Sequence, residues 1–358
     1  MKWFITDMDG TFLNDKKEVA PNAKDVIVKL QDKGSKFIIA TGRPDIAVKH
    51  YYHNLGMNDV VISNNGSLIR NLLTGEIVYQ KSFKMEEIEK IYSMFKELND
   101  DEIEFHVYTL NYIYCTHLSF SMARMKRIEA DMPEELKTPM YIHEDIIGEL
   151  KKNNEDCQKI MMIAKDHDKV VNFFNKVSEV LEVDGTFSAT NFFDIMPKGC
   201  NKGTAIEKLA EYYKSPIEDC VVFGDNFNDK EMFDVAGWSV CPSNAKEEIQ
   251  EMVRSYYPGE YSVEELHKTY KFEPSCQKTV PEGMQCFFES EDYESAIRNV
   301  MYIGGDCDTL GAIVGAVAGA YYGIPEWIQE KALSRMPDYM VEDYEDFKAM
   351  YMDKEKTL

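Results

Sequence analysis

Asp7 and Asp9, in the stretch Asp7-Met8-Asp9-Gly10-Thr11, close an apolar run near the start of the chain. In an extended chain, residues two apart point to the same side, so both carboxylates face one place. Gly10 lets the backbone turn close to whatever is bound there. Thr41-Gly42-Arg43 follows a second apolar run and offers a hydroxyl and N–H groups to a phosphate. Lys202, in "KGCNKGTA", begins a helical pattern and adds a cation to the helix N-terminal donors. Lys198 is the alternative cation, but it follows Pro197 and reads as a solvated loop residue. Gly224-Asp225-Asn226-Phe227-Asn228-Asp229 forms a second acidic loop after "CVVF". These types suit phosphoryl transfer. One carboxylate can attack phosphorus, and a second can protonate the leaving group and then activate water. Oxygen ligands suit Mg²⁺, while a lysine and a hydroxyl offset charge on the phosphoryl oxygens. Taken singly, each stretch has a plainer account, a D-x-D pair being commonly a turn or an N-cap. Four of them in order, each at a strand end or a helix start, are hard to explain as coincidence.

The elements that must hold these residues follow an α/β rhythm. "KWFITDMDG", "KFIIATGRP" and "DVVISNNGS" read as buried strands, and "NAKDVIVKLQDKG" as a helix closed by Gly34. Such βαβ units imply a doubly wound, Rossmann-like parallel sheet, whose ligands gather at strand C-terminal ends. Residues 82–190 change character, with strand-like "EFHVYTLNYIYCTH" and "QKIMMIAK" between charged helices, and read as an inserted α+β cap. The rhythm returns in "NKGTAIEKLAEYY" and "DCVVFGDNFND". Residues 1–81 and 191–256 thus form the expected core. "SYYPGEYSVEELHKTYKFEP" reads as a connector, and the segment 260–358 as all-α, helical throughout from about Val280. Within the cap, Tyr108, Tyr112 and Tyr114 alternate as one strand would and read as core packing, as do Met161 and Met162.

Composition narrows the function classes. A net charge of −23 disfavours nucleic acid and anionic membranes as partners. Eight scattered cysteines without a C-x-x-C pair, and an opening that runs straight into a strand, are those expected of a cytoplasmic chain with free thiols. The histidine spacings indicate no zinc site, and the longest apolar run, near 310–324, is short of the ~20 residues that a membrane span needs.

"DMDGTFL", "ATGRP", "NNGSLI", "KGCNKGTAIEKL" and "GDNFNDKEMFDVAG" together resemble the haloacid dehalogenase superfamily, and within it the Cof-type phosphatases with a large cap. The resemblance covers residues 1 to about 254. It implies Asp7 as nucleophile, Asp9 as general acid/base, Thr41 at the phosphoryl group and Lys202 steadying both. It also implies Mg²⁺ on Asp7, the Asp9 carbonyl and Asp225, with Asn228 and Asp229 supporting that loop. Gly42, Arg43, Asn65 and Gly66 would meet the substrate, a small phosphorylated metabolite such as a sugar phosphate. A phosphomutase is the alternative on the same core.

The tail raises a separate question. Gly311, Gly315, Gly319 and Gly323 recur every four residues after "GGDCDT", one stripe on a helix, where another backbone could approach closely. Asp306, Asp308 and Thr309 would sit at that helix's N-terminus, where capping is the plain account. Residues 260–345 are similar to the C-terminal part of ADP-ribosylglycohydrolases, which implies metal-ligand roles for these three residues. That family's early Thr-Asp-Asp ligands have no counterpart here beyond Thr6-Asp7 and Asp100-Asp101, so the resemblance implies a half-site. Three readings of the tail stay open: a packed remnant, a homo-oligomer contact through these helices, or glycohydrolase activity completed by a partner.

Overall fold

The computed structural model describes residues 2–256, 262–271 and 276–348 and divides into two units, residues 1–256 and 257–358. In the first unit the strands are β1 (Trp3–Thr6), β2 (Lys36–Ala40), β3 (Val60–Ser63), β4 (Leu68–Asn71), β5 (Ile77–Gln80), β6 (Glu104–Tyr108), β7 (Ile113–Cys115), β8 (Met140–Ile142), β9 (Lys159–Ile163), β10 (Val183–Ala189), β11 (Phe192–Pro197), β12 (Cys220–Phe223) and β13 (Trp238–Val240). Its helices are α1 (Ala23–Asp32), α2 (Lys49–Asn54), α3 (Met85–Leu98), α4 (Phe120–Ile128), α5 (Ile146–Asn153), α6 (His167–Ser178), α7 (Lys202–Tyr213), α8 (Lys230–Val235) and α9 (Glu247–Tyr256).

One sheet has the order β13-β12-β1-β2-β3-β4-β5. From β13 to β3 it is parallel, as the sequence implies, but β4 and β5 are antiparallel to their neighbours and form an edge that periodicity did not announce. β1 lies in the middle of the five parallel strands, Trp3 and Ile5 fully buried, which places Asp7 at the centre of their C-terminal ends.

The second sheet, β10-β11-β9-β6-β7-β8, is the insertion. β11 belongs to it and pairs with β9 and β10, so the sheet runs on to Pro197 and the expected boundary at 190–191 falls inside the β10–β11 hairpin. Alternation gives this sheet two apolar faces. Phe105, Val107, Ile160, Met162, Phe193 and Ile195 pack with α3 and α6 in the insertion's own core. On α3, Ile88, Ile91 and Tyr92 recur at helical spacing, each worth roughly 1.5–3 kcal/mol when buried, and the Glu87 carboxylate accepts the Lys84 N–H at the helix start. The other face carries His106, Tyr108, Lys159, Met161, Phe192 and Asp194.

The three tyrosines do not share one strand. The chain reverses between β6 and β7, leaving Tyr108 on the second face, Tyr114 in the core of the insertion and Tyr112 exposed. Met161 and Met162 are both core as expected, Met162 in the insertion's own core and Met161 with Tyr108 and Met122 in a second buried cluster that also lines a cavity. Entry to and exit from the insertion run side by side, the Lys81 ammonium donating to the Lys198 carbonyl at 2.5 Å.

The second unit holds α10 (Val263–Thr269), α11 (Cys276–Phe288), α12 (Tyr293–Ile303), α13 (Cys307–Tyr322), α14 (Glu326–Leu333) and α15 (Asp338–Phe347). The expected connector is in part α10. Ser262 caps it through the Glu265 N–H, and Val263 and Leu266 join the unit's core, so a short amphipathic turn was hidden inside a polar stretch. The glycine stripe of α13 does not serve close backbone approach. Leu310, Val314 and Ala318 form its buried face, Gly311 faces open space, and Gly315 and Gly319 meet side chains of Tyr293, Ile297 and Ile324. Gly283 of α11 likewise packs on side chains of α13, where a Cβ would lie 3.2 Å from Leu310 Cδ2.

Candidate active site

Asp7 follows β1 directly, is almost fully buried, and donates its N–H to the Phe223 carbonyl of β12 at 2.7 Å. α7 starts at Lys202 because the Asn201 side chain accepts the Thr204 N–H at 2.8 Å. The fully buried Lys202 ammonium then donates to Asp7 Oδ1 and Asp229 Oδ1, both at 2.5 Å. Lys198 is instead paired with Asp184 at the surface. The other oxygen of Asp229 accepts the N–H groups of Asp225 and Asn226 at 2.9 and 3.0 Å, which folds the acidic loop over the site. Thr11 donates to Asp225 Oδ1 at 2.6 Å, and Gly10, at φ +98°, leaves the space that the Asp225 carboxylate fills.

Burial pushes the Asp7 carboxyl well above the usual carboxylate range; Lys202 opposes this, and Asp229 and Asp225 add to it. Burial likewise raises Asp225, against the Thr11 hydrogen bond. Burial alone would lower Lys202, but Asp229 and Asp7 raise it above its ordinary value. Three carboxylates within 4.8 Å of one another therefore share a single ammonium. This donor set is short of positive charge and made of oxygen, and it fits a hard divalent cation. With both Asp229 oxygens committed, Asp7 and Asp225 are the carboxylates left to hold one.

Asp9 points elsewhere. Arg43 grips it through Nε and Nη2, both at 2.6 Å, and Lys17 adds a third contact at 2.8 Å. Burial would raise this carboxyl, but Arg43 and Lys17 more than reverse the effect and hold it far below the usual range. Thr41 is buried; its Oγ1 accepts the Arg43 N–H at 3.1 Å and its carbonyl accepts the Asn65 N–H at 3.0 Å.

Asn65 and Gly66 tie elements together. Asn65 donates to Asp194 Oδ2 at 2.7 Å and accepts from Asn228 at 3.0 Å. Gly66, at φ +93°, lies where a Cβ would collide with the Asn201 carbonyl. Asp194 pairs with Lys159 at 2.9 Å, and Lys159 also donates to the Gly42 carbonyl at 2.6 Å. Lys17, Lys159 and Asp194 were missed by the sequence reading. The signal for the last two was a charge inside an apolar strand, "QKIMMI" and "FFDIMP"; nothing in the sequence ties Lys17 to Asp9.

A cavity of about 320 Å³ opens from Asp7, Asp9 and Thr41 toward the insertion, where Tyr108, Met122, Met125 and Phe192 line it. A larger space of about 540 Å³ lies beside β10, with Asp184, Lys198 and Glu231 on its walls and none of the acidic cluster. In the second unit, Asp306, Asp308 and Thr309 share the first turn of α13, Asp308 and Thr309 exposed. Among the described residues no third acid, histidine or cysteine joins the two aspartates in a metal-sized cluster. No helix among the described residues is long and apolar enough to cross a membrane.

Residues 4–258 match the model of the haloacid dehalogenase-like hydrolases, and residues 199–356 match that of the ADP-ribosylglycohydrolases. YxeH of Bacillus subtilis is 28% identical over 255 residues, covering 70% of this chain and 90% of that protein. The 5-amino-6-(5-phospho-D-ribitylamino)uracil phosphatase YitU of the same organism is 23% identical over 259 residues, with 69% and 88% covered. A haloacid dehalogenase-like hydrolase structure from B. subtilis superimposes with a TM-score of 0.61 at 24% identity, over 70% of this chain and 92% of that one. With the acidic cluster at the ends of parallel strands and an inserted second sheet above it, the chain belongs to the haloacid dehalogenase-like hydrolases and is a phosphatase of that family.

Proposed function

We propose that the chain hydrolyses a small phosphorylated metabolite with Mg²⁺, through an aspartyl-phosphate on Asp7. The observation that carries this reading is the buried Asp7–Lys202–Asp229 cluster beside Asp225, whose Asp7 lines a cavity together with Asp9 and Thr41. A carboxylate oxygen of Asp7 attacks phosphorus and the ester P–O bond breaks, with Asp9 delivering a proton to the departing oxygen. Water then attacks the phosphoryl group, Asp9 takes its proton, and the bond to Asp7 breaks to release phosphate. The Thr41 hydroxyl, on the cavity lining, and Lys202, bonded to Asp7, would offset charge on the phosphoryl oxygens. Bound to Asp7, Asp225 and the Asp9 carbonyl, Mg²⁺ would neutralise the phosphoryl charge and relieve the crowding of carboxylates.

As held by Arg43 and Lys17, Asp9 is an anion fit for the water step. Acid duty in the first step requires one of those cations to turn to the incoming phosphate dianion instead, and Arg43, beside Thr41, is placed for that exchange. YitU, by its name, acts on a phosphorylated uracil derivative, so relatives of this fold take small phosphate esters. The test is turnover of a panel of phosphate esters with and without Mg²⁺, in the native chain and in Asp7→Asn. Loss of turnover in a variant with native circular dichroism is expected, and full activity in that variant would overturn the mechanism.

A further inference from the structure

Two buried charges stand on adjacent strands of the inserted sheet, Lys159 on β9 and Asp194 on β11, and share its second face. As a stabilising device the pair is poor, since two apolar side chains of like volume would serve at least as well there. What sets it apart is the use each partner makes of its remaining hydrogen bonds. The Lys159 ammonium, 4.4 Å from the centre of the Tyr108 ring, donates to the Gly42 carbonyl at 2.6 Å. Asp194 Oδ2 accepts the Asn65 amide at 2.7 Å, and Asn65 Oδ1 accepts from Asn228 at 3.0 Å. The Asn65 N–H returns to the Thr41 carbonyl at 3.0 Å. These contacts close a ring through Thr41-Gly42, Lys159, Asp194 and Asn65, with Asn228 as its branch to the acidic loop. Asn64 and Asn65 sit at φ of +49° and +53°, a left-handed conformation that persists where the surroundings dictate it. Gly42 has little room to drift, since a Cβ there would lie 3.0 Å from Asn65 Oδ1 and 3.4 Å from Asp194 Oδ2. A further tie joins Asn226 Nδ2 to the Ser188 carbonyl of β10 at 3.2 Å.

Resting on the phosphatase reading above, we infer that Lys159 and Asp194 are positioning residues for the reaction, through which the inserted sheet sets the Thr41-Gly42 loop and, by way of Asn65, the loop that carries Asp225. Asp7, Asp9, Thr41, Lys202 and Asp225 all lie outside the insertion, yet their geometry is completed by it. The Thr41 hydroxyl depends on the placing of a loop whose next carbonyl Lys159 holds, and Asp225 on a loop that Asn228 ties to Asn65. A misplacement of about 1 Å at reacting groups costs on the order of a hundredfold in rate, so loss of these ties belongs in kcat. Lys159 also lines the cavity, and its test separates positioning from contact with the substrate.

The variants are Lys159→Met, Asp194→Leu and the two combined, assayed with Mg²⁺ on p-nitrophenyl phosphate and on acetyl phosphate. The two leaving groups differ in size and chemistry, so a loss common to both reports the geometry of phosphoryl transfer. We expect kcat to fall about tenfold or more on both substrates in all three variants, with KM within about threefold. The double variant separates positioning from stability. With both charges gone the sheet regains most of its stability, yet methionine and leucine offer nothing to the Gly42 carbonyl or the Asn65 amide, so kcat stays low. Recovery of kcat in the double variant to within about twofold of native overturns the inference, because the pair then serves stability alone. A loss confined to KM, or to one substrate, overturns it as well and makes Lys159 a substrate contact. Failure of the native chain on both substrates overturns the phosphatase reading itself. The ties are then read from hydrogen exchange of the Asn65 amide, faster in the double variant if they hold the loop; unchanged exchange refutes them.

Discussion

Breaking the Lys159–Asp194 pair from one side should cost more than removing it whole. The two side chains are 2% and 0% exposed and 2.9 Å apart. At an effective dielectric constant of about 20 their attraction is about 6 kcal/mol, most of it offset by taking both charges out of water. Removing one partner of such a pair costs about 3–5 kcal/mol, because the survivor is left charged and buried. Here the lower figure applies, since Lys159 keeps the Gly42 carbonyl and Asp194 keeps the Asn65 amide. Lys159→Met and Asp194→Leu should each lose about 3 kcal/mol in urea unfolding, and the double variant about 1 kcal/mol or less. Because Lys159 reaches the Thr41-Gly42 loop and Asp194 reaches Asn65 and through it Asn228, the single variants should also lose kcat. Single losses below 0.5 kcal/mol that simply add in the double variant would refute the argument.

Acid should find His106. Burial, helped by His117 and Lys159, lowers its pKa to about 3 in the folded chain, against about 6.5 unfolded. The unfolded chain therefore takes up a proton below pH 6.5 that the folded one refuses until about pH 3. Stability from this residue is full above pH 6.5 and falls by about 1.4 kcal/mol per unit below it; His106→Gln should flatten the slope in urea titrations between pH 7 and 5, and an unchanged slope would count against it. Gly66→Ala forces a Cβ into the Asn201 carbonyl at a φ of +93° and should lower the melting temperature, with a loss above about 1 kcal/mol; an unaltered melting curve would contradict that geometry. Asp306→Ala with Asp308→Ala should leave phosphate-ester kinetics within twofold, because no third ligand joins them among the described residues; a larger change would give the α13 turn a part in the reaction.

The core of the site was legible because its chemistry lies in short segments at strand ends. Asp7, Lys202, Asp225 and Asp229 are drawn together by parallel pairing of β1 with β2 and β12, and that pairing follows from apolar runs. What was not legible depends on long-range packing. Arg43 could be placed near a phosphate from its loop, but its grip on Asp9 is a matter of side-chain direction. Tyr108 and Tyr114 share a parity in sequence yet lie on opposite faces, since a reversal between them resets the count. α10 was hidden because seven residues with two apolar ones give too little periodicity to separate from a polar linker.

The central position of β1 has a consequence for how the chain is made. Its partner β12 and the two groups that complete the site come late: Lys202 lies 195 residues after Asp7, and Asp225 lies 214 after Thr11. At about 5–20 residues per second, a nascent chain carries Asp7 for roughly 10–40 seconds before Lys202 is polymerised. Through that interval β1 can pair with β2 but offers its other side as an open strand edge, the kind that recruits neighbouring chains. The insertion, continuous in sequence and with a core of its own, ends with β11 at Pro197 and can close before β12 is polymerised. On a ribosome, the inserted sheet can therefore be complete before the sheet that carries Asp7.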